Sequence, residues 1–366
     1  MFAVLGICVA QAGQQFKLSE IKIENPPGFT GLPTYIGVNK VASQGTLDVV
    51  VAYGQDYRYY ASGSITPSGT NNLKTWVSTL GCNNRGDFVY NTGQSSGGGV
   101  RYADGTEIAI PTDSNHRYAW ARDINDSGVV VGHYYLGYEE GIPFYMKNGV
   151  VTMPFPAGFQ GTFTRVDAKG RAFFYTSSGD FEQRAGYWSP EEGFVFSSVG
   201  LSGGKYSTLQ GMNDQAQSVD PEEDPVSGRP TARVTTLHSL TYLPAPSFSG
   251  GGGNPNAPGI NNKGQIVLDF TQKFDGSTKY RYHWALWDAP YDEWIDLYAA
   301  VKTQVPAGWS FGQVKGIDDL GRVYGTMKRP TGNTYALVRL DPVPEPGTLA
   351  ALVTGTLILL RRRTRR

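Results

Sequence analysis

An all-β fold is predicted for this chain, a single β-propeller-like repeat domain of six or seven blades. Three observations predict it. The composition, with Gly 47, Tyr 22, Trp 7 and only 17% charged residues, suits many short strands and turns. A turn unit of fixed form recurs along the chain. Between its copies lie aromatic strands that run into acidic or glycine turns.

The turn unit reads small, apolar, Asn or Asp, polar, any residue, Gly, and then a β-branched strand. Clear copies occupy residues 123–132, 259–267 and 316–325, and weaker ones begin at Gly37, Gly81, Val166 and Gly211. Taking the Asn or Asp as anchor gives Asn39, Asn83, Asn125, Asp167, Asn213, Asn261 and Asp318, with spacings of 44, 42, 42, 46, 48 and 57. Asn and Asp tolerate left-handed geometry and cap their own turn, while Gly86, Gly128, Gly170, Gly264 and Gly321 supply positive φ. The aromatic strands fall at residues 143–149, 185–193 and 283–288. Each period therefore holds about four strands, too few to bury both faces of a sheet alone, and radial stacking of such units makes propeller blades. A pair of β-sandwiches is the alternative. Residues 220–230 and 247–258 read as loops that lengthen the fifth period. Trp294, Leu297, Tyr298 and Val301 fall at i, i+3, i+4 and i+7, which predicts a short helix over 293–303.

The two ends differ from the body. At the C-terminus Pro344-Glu345-Pro346 precedes an apolar run and then Arg361, Arg362, Arg363, Arg365 and Arg366. A greasy segment followed by arginines has a membrane as its natural counterpart, with the basic end held on the cytoplasmic side. The run is short for a span of about 17–25 residues, which snorkelling arginines can extend. At the N-terminus residues 2–10 are apolar, and Ala10-Gln11-Ala12 has the small-x-small form of a signal-peptidase site. The basic region that normally leads such a signal is missing, which points to a start upstream of Met1. The expected organisation is a truncated signal peptide (1–12), a β-repeat domain (13–343) and a C-terminal sorting signal with a transmembrane helix (344–366). Without the five tail arginines and Glu345 the chain keeps 27 basic and 31 acidic residues, a net charge of −4. No basic patch is left to attract nucleic acid. Cys82 is the one cysteine of the body, so no internal disulfide can form.

The tripeptide, apolar run and arginine cluster together resemble the C-terminal signal of bacterial PEP-CTERM proteins. The resemblance implies export, transient anchoring in the inner membrane, and processing near Pro344-Glu345-Pro346 by an exosortase, a membrane-embedded cysteine protease or transpeptidase. It also implies a Gram-negative bacterium that makes extracellular polysaccharide. Thr354 and Thr356 make the apolar run more polar than is usual for that signal. A second likeness covers residues 294–325 well and most of 115–325 loosely. Asp296-Leu297, then Pro306-Ala307-Gly308-Trp309, then residues 316–321 resemble the repeat unit of extracellular HAF-repeat proteins, which brings no assigned chemistry with it.

Candidate chemistry in the body is sparse. Asp123-x-Asn125-x-Ser127-Gly128 imitates the start of a calcium loop, but the twelfth position is Tyr134 rather than a bidentate carboxylate. The pairs Glu139-Glu140, Glu191-Glu192 and Glu222-Glu223 read as solvated turns, since glycoside hydrolysis needs two carboxyls facing each other across a substrate. His116, His133, His238 and His283 have no metal-ligand spacing, so neither a metal nor a cofactor is expected. The glycine runs at 97–99 and 203–204 lack the setting of a phosphate cradle. Aromatic residues, at 13%, are the remaining excess, and rings on the surface would suit stacking on sugars or on another protein. The expectation is a non-enzymatic, exported component of the cell surface or extracellular matrix. Its partners would be an exosortase, the inner membrane transiently, and extracellular polysaccharide or a surface protein. A propeller hydrolase acting on matrix polysaccharide is the alternative.

Overall fold

A computed structural model describes residues 15–23, 31–53, 57–63, 74–75, 78–91, 97–113, 116, 118–135, 141–156, 161–176, 185–198, 211–224, 226–249, 255–273, 280–289 and 291–343. Strand β1 (Gln15–Ile21) stands apart from the order that follows. Blade 1 is β2 (Tyr35–Val41), β3 (Leu47–Tyr53), β4 (Tyr57–Gly63) and β5 (Lys74–Thr75), and blade 2 is β6 (Ser78–Cys82), β7 (Phe88–Asn91), β8 (Gly98–Arg101) and β9 (Glu107–Ala109). Blade 3 is β10 (Ala119–Ile124), β11 (Val130–Tyr135), β12 (Gly141–Lys147) and β13 (Val150–Thr152). Blade 4 is β14 (Gly161–Val166), β15 (Ala172–Thr176), β16 (Ala185–Ser189) and β17 (Gly193–Phe196). Blade 5 is β18 (Gly211–Met212), β19 (Ser218–Glu223), β20 (Pro230–Thr235) and β21 (Leu240–Tyr242). Blade 6 is β22 (Asn256–Ile260), β23 (Ile266–Lys273), β24 (Tyr280–Asp288) and β25 (Glu293–Asp296), followed by helix α1 (Leu297–Val301). Blade 7 is β26 (Ser310–Ile317), β27 (Val323–Lys328) and β28 (Tyr335–Val343), completed by β1 as its fourth strand.

The described residues thus form seven antiparallel four-stranded blades. The propeller expectation holds, at the upper of the two blade counts. A single pair, Gly141 with Gly161, joins the sheets of blades 3 and 4. The expected signal peptide and the C-terminal tag from Pro344 onward lie outside the described residues. No helix among the described residues is long and apolar enough to cross a membrane.

The anchors explain why the repeat is written as it is. From Asn83 onward each of the six anchor oxygens accepts two backbone N–H groups of its own turn. In blade 2 Asn83 Oδ1 takes Arg85 and Asp87, both at 3.0 Å, and in blade 7 Asp318 Oδ1 takes Leu320 at 3.0 Å and Arg322 at 2.9 Å. The glycine three residues after the anchor adopts φ between 78° and 88° at Gly86, Gly128, Gly170, Gly264 and Gly321. The other atom of the anchor amide reaches across to the next blade. Asn83 Nδ2 donates to Asn125 O at 3.0 Å, Asn125 Nδ2 to Asp167 O at 2.8 Å, Asn213 Nδ2 to Asn261 O at 2.9 Å and Asn261 Nδ2 to Asp318 O at 2.8 Å. A carboxylate cannot donate, and where the anchor is Asp an arginine four residues later takes over. Arg171 Nε binds Asp167 at 2.6 Å and its second nitrogen reaches Asp214 O at 3.1 Å. Arg322 repeats this from Asp318 (2.6 Å) to Gln44 O (2.6 Å) and joins the last blade to the first.

Three expectations need correction. Asn39 lies within strand β2, and the first turn is at Ala42, whose N–H binds Thr46 O and whose carbonyl accepts from Gly45, both at 2.8 Å. The glycine decides this. Gly45 has φ 88° and stands three residues after Ala42, whereas three residues after Asn39 there is no glycine. The helix over 293–303 shrinks to α1, because residues 293–296 pair with β24 as the outer strand of blade 6. Asp296 ends that strand and caps the helix by accepting the Ala299 N–H at 2.9 Å. Of the acidic pairs, Glu222 and Glu223 end strand β19 instead of forming a turn.

Blade 7 is locked by the segment that resembles a HAF repeat. Helix α1 buries Leu297 and Val301 in the same apolar cluster as Phe16 of β1. Gln304, just beyond it, donates to Phe16 O at 2.7 Å and accepts from Leu18 N–H at 2.9 Å. One side-chain amide thereby pairs the outer edge of β1 as a neighbouring strand would. Arg329 lies over the Trp309 ring at 4.5 Å and reaches Glu20 of β1 at 2.5 Å.

Candidate functional site

The seven inner strands surround a channel of about 130 Å³. Its lining mixes charged and amide side chains with small apolar ones and contains no aromatic ring. Two aromatic residues of the sequence, Trp284 and Tyr134, pack in apolar clusters of the fold. Trp284 and Tyr134 are buried, with the Trp284 indole donating to Gly312 O at 2.7 Å. Among the described residues no aromatic ring lines the channel, and the exposed rings Tyr35, Phe196, Tyr242 and Tyr291 lie outside its lining.

Six inner strands carry a register shift just before the turn. Bulges of this kind re-aim a side chain. Two residues before the turn anchor the chain places Lys40, Gly81, Asp123, Arg165, Gly211, Gly259 and Gly316. Four of the seven are glycine, which lets neighbouring backbones approach. A Cβ on Gly259 would lie 3.3 Å from Gly316 Cα. The three charged exceptions converge. Lys40 Nζ is 2.5 Å from Asp123 Oδ1, and Arg165 stands 4.0 Å from the same oxygen. Blade 2 lies between Lys40 and Asp123, and the pair meets because Gly81 leaves the space open. A Cβ there would sit 2.6 Å from Asp123 Oδ1. Asp123, 1% exposed, also accepts the N–H of Ile124 at 2.9 Å and of Val166 at 3.1 Å.

One residue past the anchor lies a second ring. Asp126, Asp214 and Asp319 accept backbone N–H groups from Asn84 (2.7 Å), Ala168 (3.0 Å) and Asn262 (2.8 Å) of the preceding blades. Asn262 Nδ2 lies 2.8 Å from both Asp214 Oδ2 and Asp319 Oδ2 and bridges two carboxylates of separate blades. Further in, Lys315 of β26 lines the channel and donates to Gln313 Oε1 at 2.6 Å. Burial depresses its basicity, an effect that nearby Asp269 partly offsets. Asp269 of β23 is 1% exposed, accepts the Val314 N–H at 2.7 Å, and is pushed up by burial to about 7.

Of the residues singled out in the sequence, Asn39, Asn83, Asn125, Asp167, Asn213 and Asn261 line this channel, whereas Asp318 is buried in its turn and is not part of the lining. Gly86, Gly128, Gly170, Gly264 and Gly321 shape their turns. Ala10, Ala12, Pro344, Glu345, Pro346 and the tail arginines fall outside the described residues. Among the described residues no cluster of His, Cys, Asp and Glu is arranged to hold a metal ion. Cys82 is fully buried with its thiol 3.7 Å from Thr46 O, and burial suppresses its ionisation. Of Lys40, Asp123, Arg165 and Lys315, the sequence singled out only Asp123, and that as part of an imitation calcium loop. The first three break a glycine pattern that appears once the repeats are aligned on Ala42 rather than Asn39. Lys315 has no such signal.

Two buried groups give the fold opposing pH dependences. The folded Asp269 carboxyl holds its proton up to about 7 while the unfolded one releases it near the ordinary value of 3.8, so its contribution is lost as pH rises between them. His133, fully buried with Nδ1 2.7 Å from Thr162 Oγ1, is held down by burial to about 3. It costs stability as pH falls from about 6.5, because only the unfolded chain gains the proton. Asp269→Asn removes the first effect and leaves the second. Relative to the wild type, the variant is expected to gain on the order of 4 kcal/mol between pH 4 and pH 7. Melting temperatures taken across that range check this, and parallel curves for the two proteins would refute it.

No protein-family profile matches this chain, and no curated protein matches it. Solved structures do. A virginiamycin B lyase from Staphylococcus aureus matches at 12% identity and TM-score 0.45, over 90% of this chain and all (100%) of that one. YCF48 bound to D1 peptide matches at 8% identity and TM-score 0.43, over 90% and 96%. The β-propeller domain of the Trilobed protease from Pyrococcus furiosus matches at 8% identity and TM-score 0.38, over 85% and 86%. These likenesses transfer no ligand and no reaction to this chain.

Proposed function

We propose that this protein is an exported component of the cell envelope or extracellular matrix, sorted by an exosortase, whose propeller binds polysaccharide or a surface protein without catalysis. The register of the closing strands supports this reading above all else. Gln15 pairs with Val343, so the expected cleavage after Ala12 and processing at Pro344-Glu345-Pro346 both fall just outside the strand pair that completes blade 7. Either tag can leave without cutting the ring. Within the channel, Asp126, Asp214 and Asp319 are each engaged in holding a neighbouring blade, which fits a scaffold better than an acid–base pair.

A second reading is favoured by one observation. Asp214 and Asp319 come from separate blades and share Asn262, as a propeller hydrolase of matrix polysaccharide would require. Two measurements separate the readings. The purified protein is expected to bind immobilised glycans and to release no reducing sugar from them; sugar release would establish the hydrolase instead. Replacing Pro344-Glu345-Pro346 with alanines is expected to hold full-length protein in the inner membrane, and undisturbed secretion would remove the sorting claim.

A further inference from the structure

Lys40 and Asp123 belong to the inner strands of blades 1 and 3, with blade 2 between them, yet Nζ and Oδ1 stand 2.5 Å apart. The carboxyl C–O bond adds at most about 1.2 Å, so the carboxyl carbon lies within about 3.7 Å of the amine nitrogen. Bonds form from separations of about 3–3.5 Å, so the pair is close to reacting distance. A second carboxyl adjoins it. Asp48 lies directly opposite Lys40 in the β2–β3 ladder and is 0% exposed. Residues paired in this way carry their side chains on the same face of the sheet. Asp48, Lys40, Asp123 and Arg165 all lie close enough to the buried Cys82 thiol to act on it electrostatically. One amine and two buried carboxyls are thus gathered from three strands.

An amine and a carboxylate ordinarily rest as an ion pair, but burial makes that state costly because both charges have left water. Transfer of one proton gives a neutral amine against a carboxylic acid, and this couple can condense. We propose that Lys40 and Asp123 are the site of an intramolecular isopeptide bond, a covalent tie from blade 1 to blade 3, with Asp48 relaying the protons. The Nζ lone pair attacks Asp123 Cγ and an N–C bond forms, while the C=O π pair moves onto Oδ2, held by the Val166 N–H at 3.1 Å. Arg165, 4.0 Å from Oδ1, adds positive charge beside that oxyanion. Asp48 takes one proton from the nitrogen and passes it to Oδ1, which already carries the acid proton and leaves as water. The pair on Oδ2 then restores the carbonyl. One water is released, and no oxidant or reductant takes part. The bond would lock blade 2 between its neighbours in a domain whose described residues hold a single cysteine, Cys82.

Intact mass and peptide mapping of the purified full chain test this. The wild type is expected to weigh one water less than its sequence requires, and a tryptic digest to join residues 23–58 to residues 123–147. The Lys40→Arg variant keeps the charge but has no amine to condense, and is expected at full mass. Asp48→Asn leaves both partners in place and is expected to lose the water about 10²–10⁴ times more slowly, the usual range for removing a positioned acid–base group. A wild type at full mass, cut by trypsin after Lys40, would overturn the proposal. So would a water loss that survives Lys40→Arg, since that marks an aspartyl succinimide instead. Undiminished linking in Asp48→Asn would overturn the relay. None of these outcomes depends on export or on a ligand, so they are independent of the function proposed above.

Discussion

Deletion of residues 15–21 is expected to abolish the cooperative fold. These residues are the fourth strand of blade 7 and pair with β28 over seven registered positions, from Gln15 with Val343 to Ile21 with Leu337. Phe16 and Ile21 are 2% and 4% exposed and sit in two different apolar clusters, so one short strand seals the interfaces on both sides of the blade. Without it the β28 edge is bare, and a long apolar edge recruits other chains. The expected result is a chain that expresses as aggregate or lacks a sharp thermal transition. Phe16→Ala leaves the ladder in place and is expected to cost about 3–5 kcal/mol, the usual range for emptying a buried phenylalanine site. A truncated protein that melted within a few degrees of the wild type would show that ring closure contributes little.

The second large effect concerns the anchors. Asn261→Asp puts a carboxylate, at a position 3% exposed, against the Asp318 carbonyl at 2.8 Å and Gln265 Oε1 at 2.8 Å. Both neighbours are acceptors, so two attractive contacts become repulsive inside the protein. A loss of about 3 kcal/mol is expected. The chain already contains the remedy, because Asp167 and Asp318 occupy the same position with an arginine four residues on. The double variant Asn261→Asp with Gln265→Arg is therefore expected to recover most of the loss, helped by buried Asp288, which now accepts from Gln265 Nε2 at 3.1 Å. Chemical denaturation of the wild type, the single and the double variant measures this directly. If the double variant were no more stable than the single one, the equivalence of the two kinds of anchor would be wrong.

This equivalence also shows how far the chain could be read in advance. The repeat unit, its period and the four strands per period follow from local chemistry. An Asn or Asp that caps its own turn and a glycine with positive φ three residues later leave the same mark wherever they occur. The first copy was misplaced because Asn39 has the right side chain while Ala42 has the right glycine, and the backbone requirement won. The helix was overextended for a related reason. Residues 293–296 carry apolar spacing that suits either element, and only the presence of β24 alongside decided for a strand.

Local pattern, then, was enough to establish an all-β repeat of propeller size, because a turn capped within five residues needs nothing distant. What required the folded ring was the set of contacts made once between blades, as distinct from the anchor bonds that recur from blade to blade. The meeting of Lys40 with Asp123 depends on a glycine in a third strand, and the closure of blade 7 on a strand about 320 residues away along the chain. Contacts of that kind leave no periodic mark, since each is made once, between residues whose nearness exists only after seven sheets have packed in a circle.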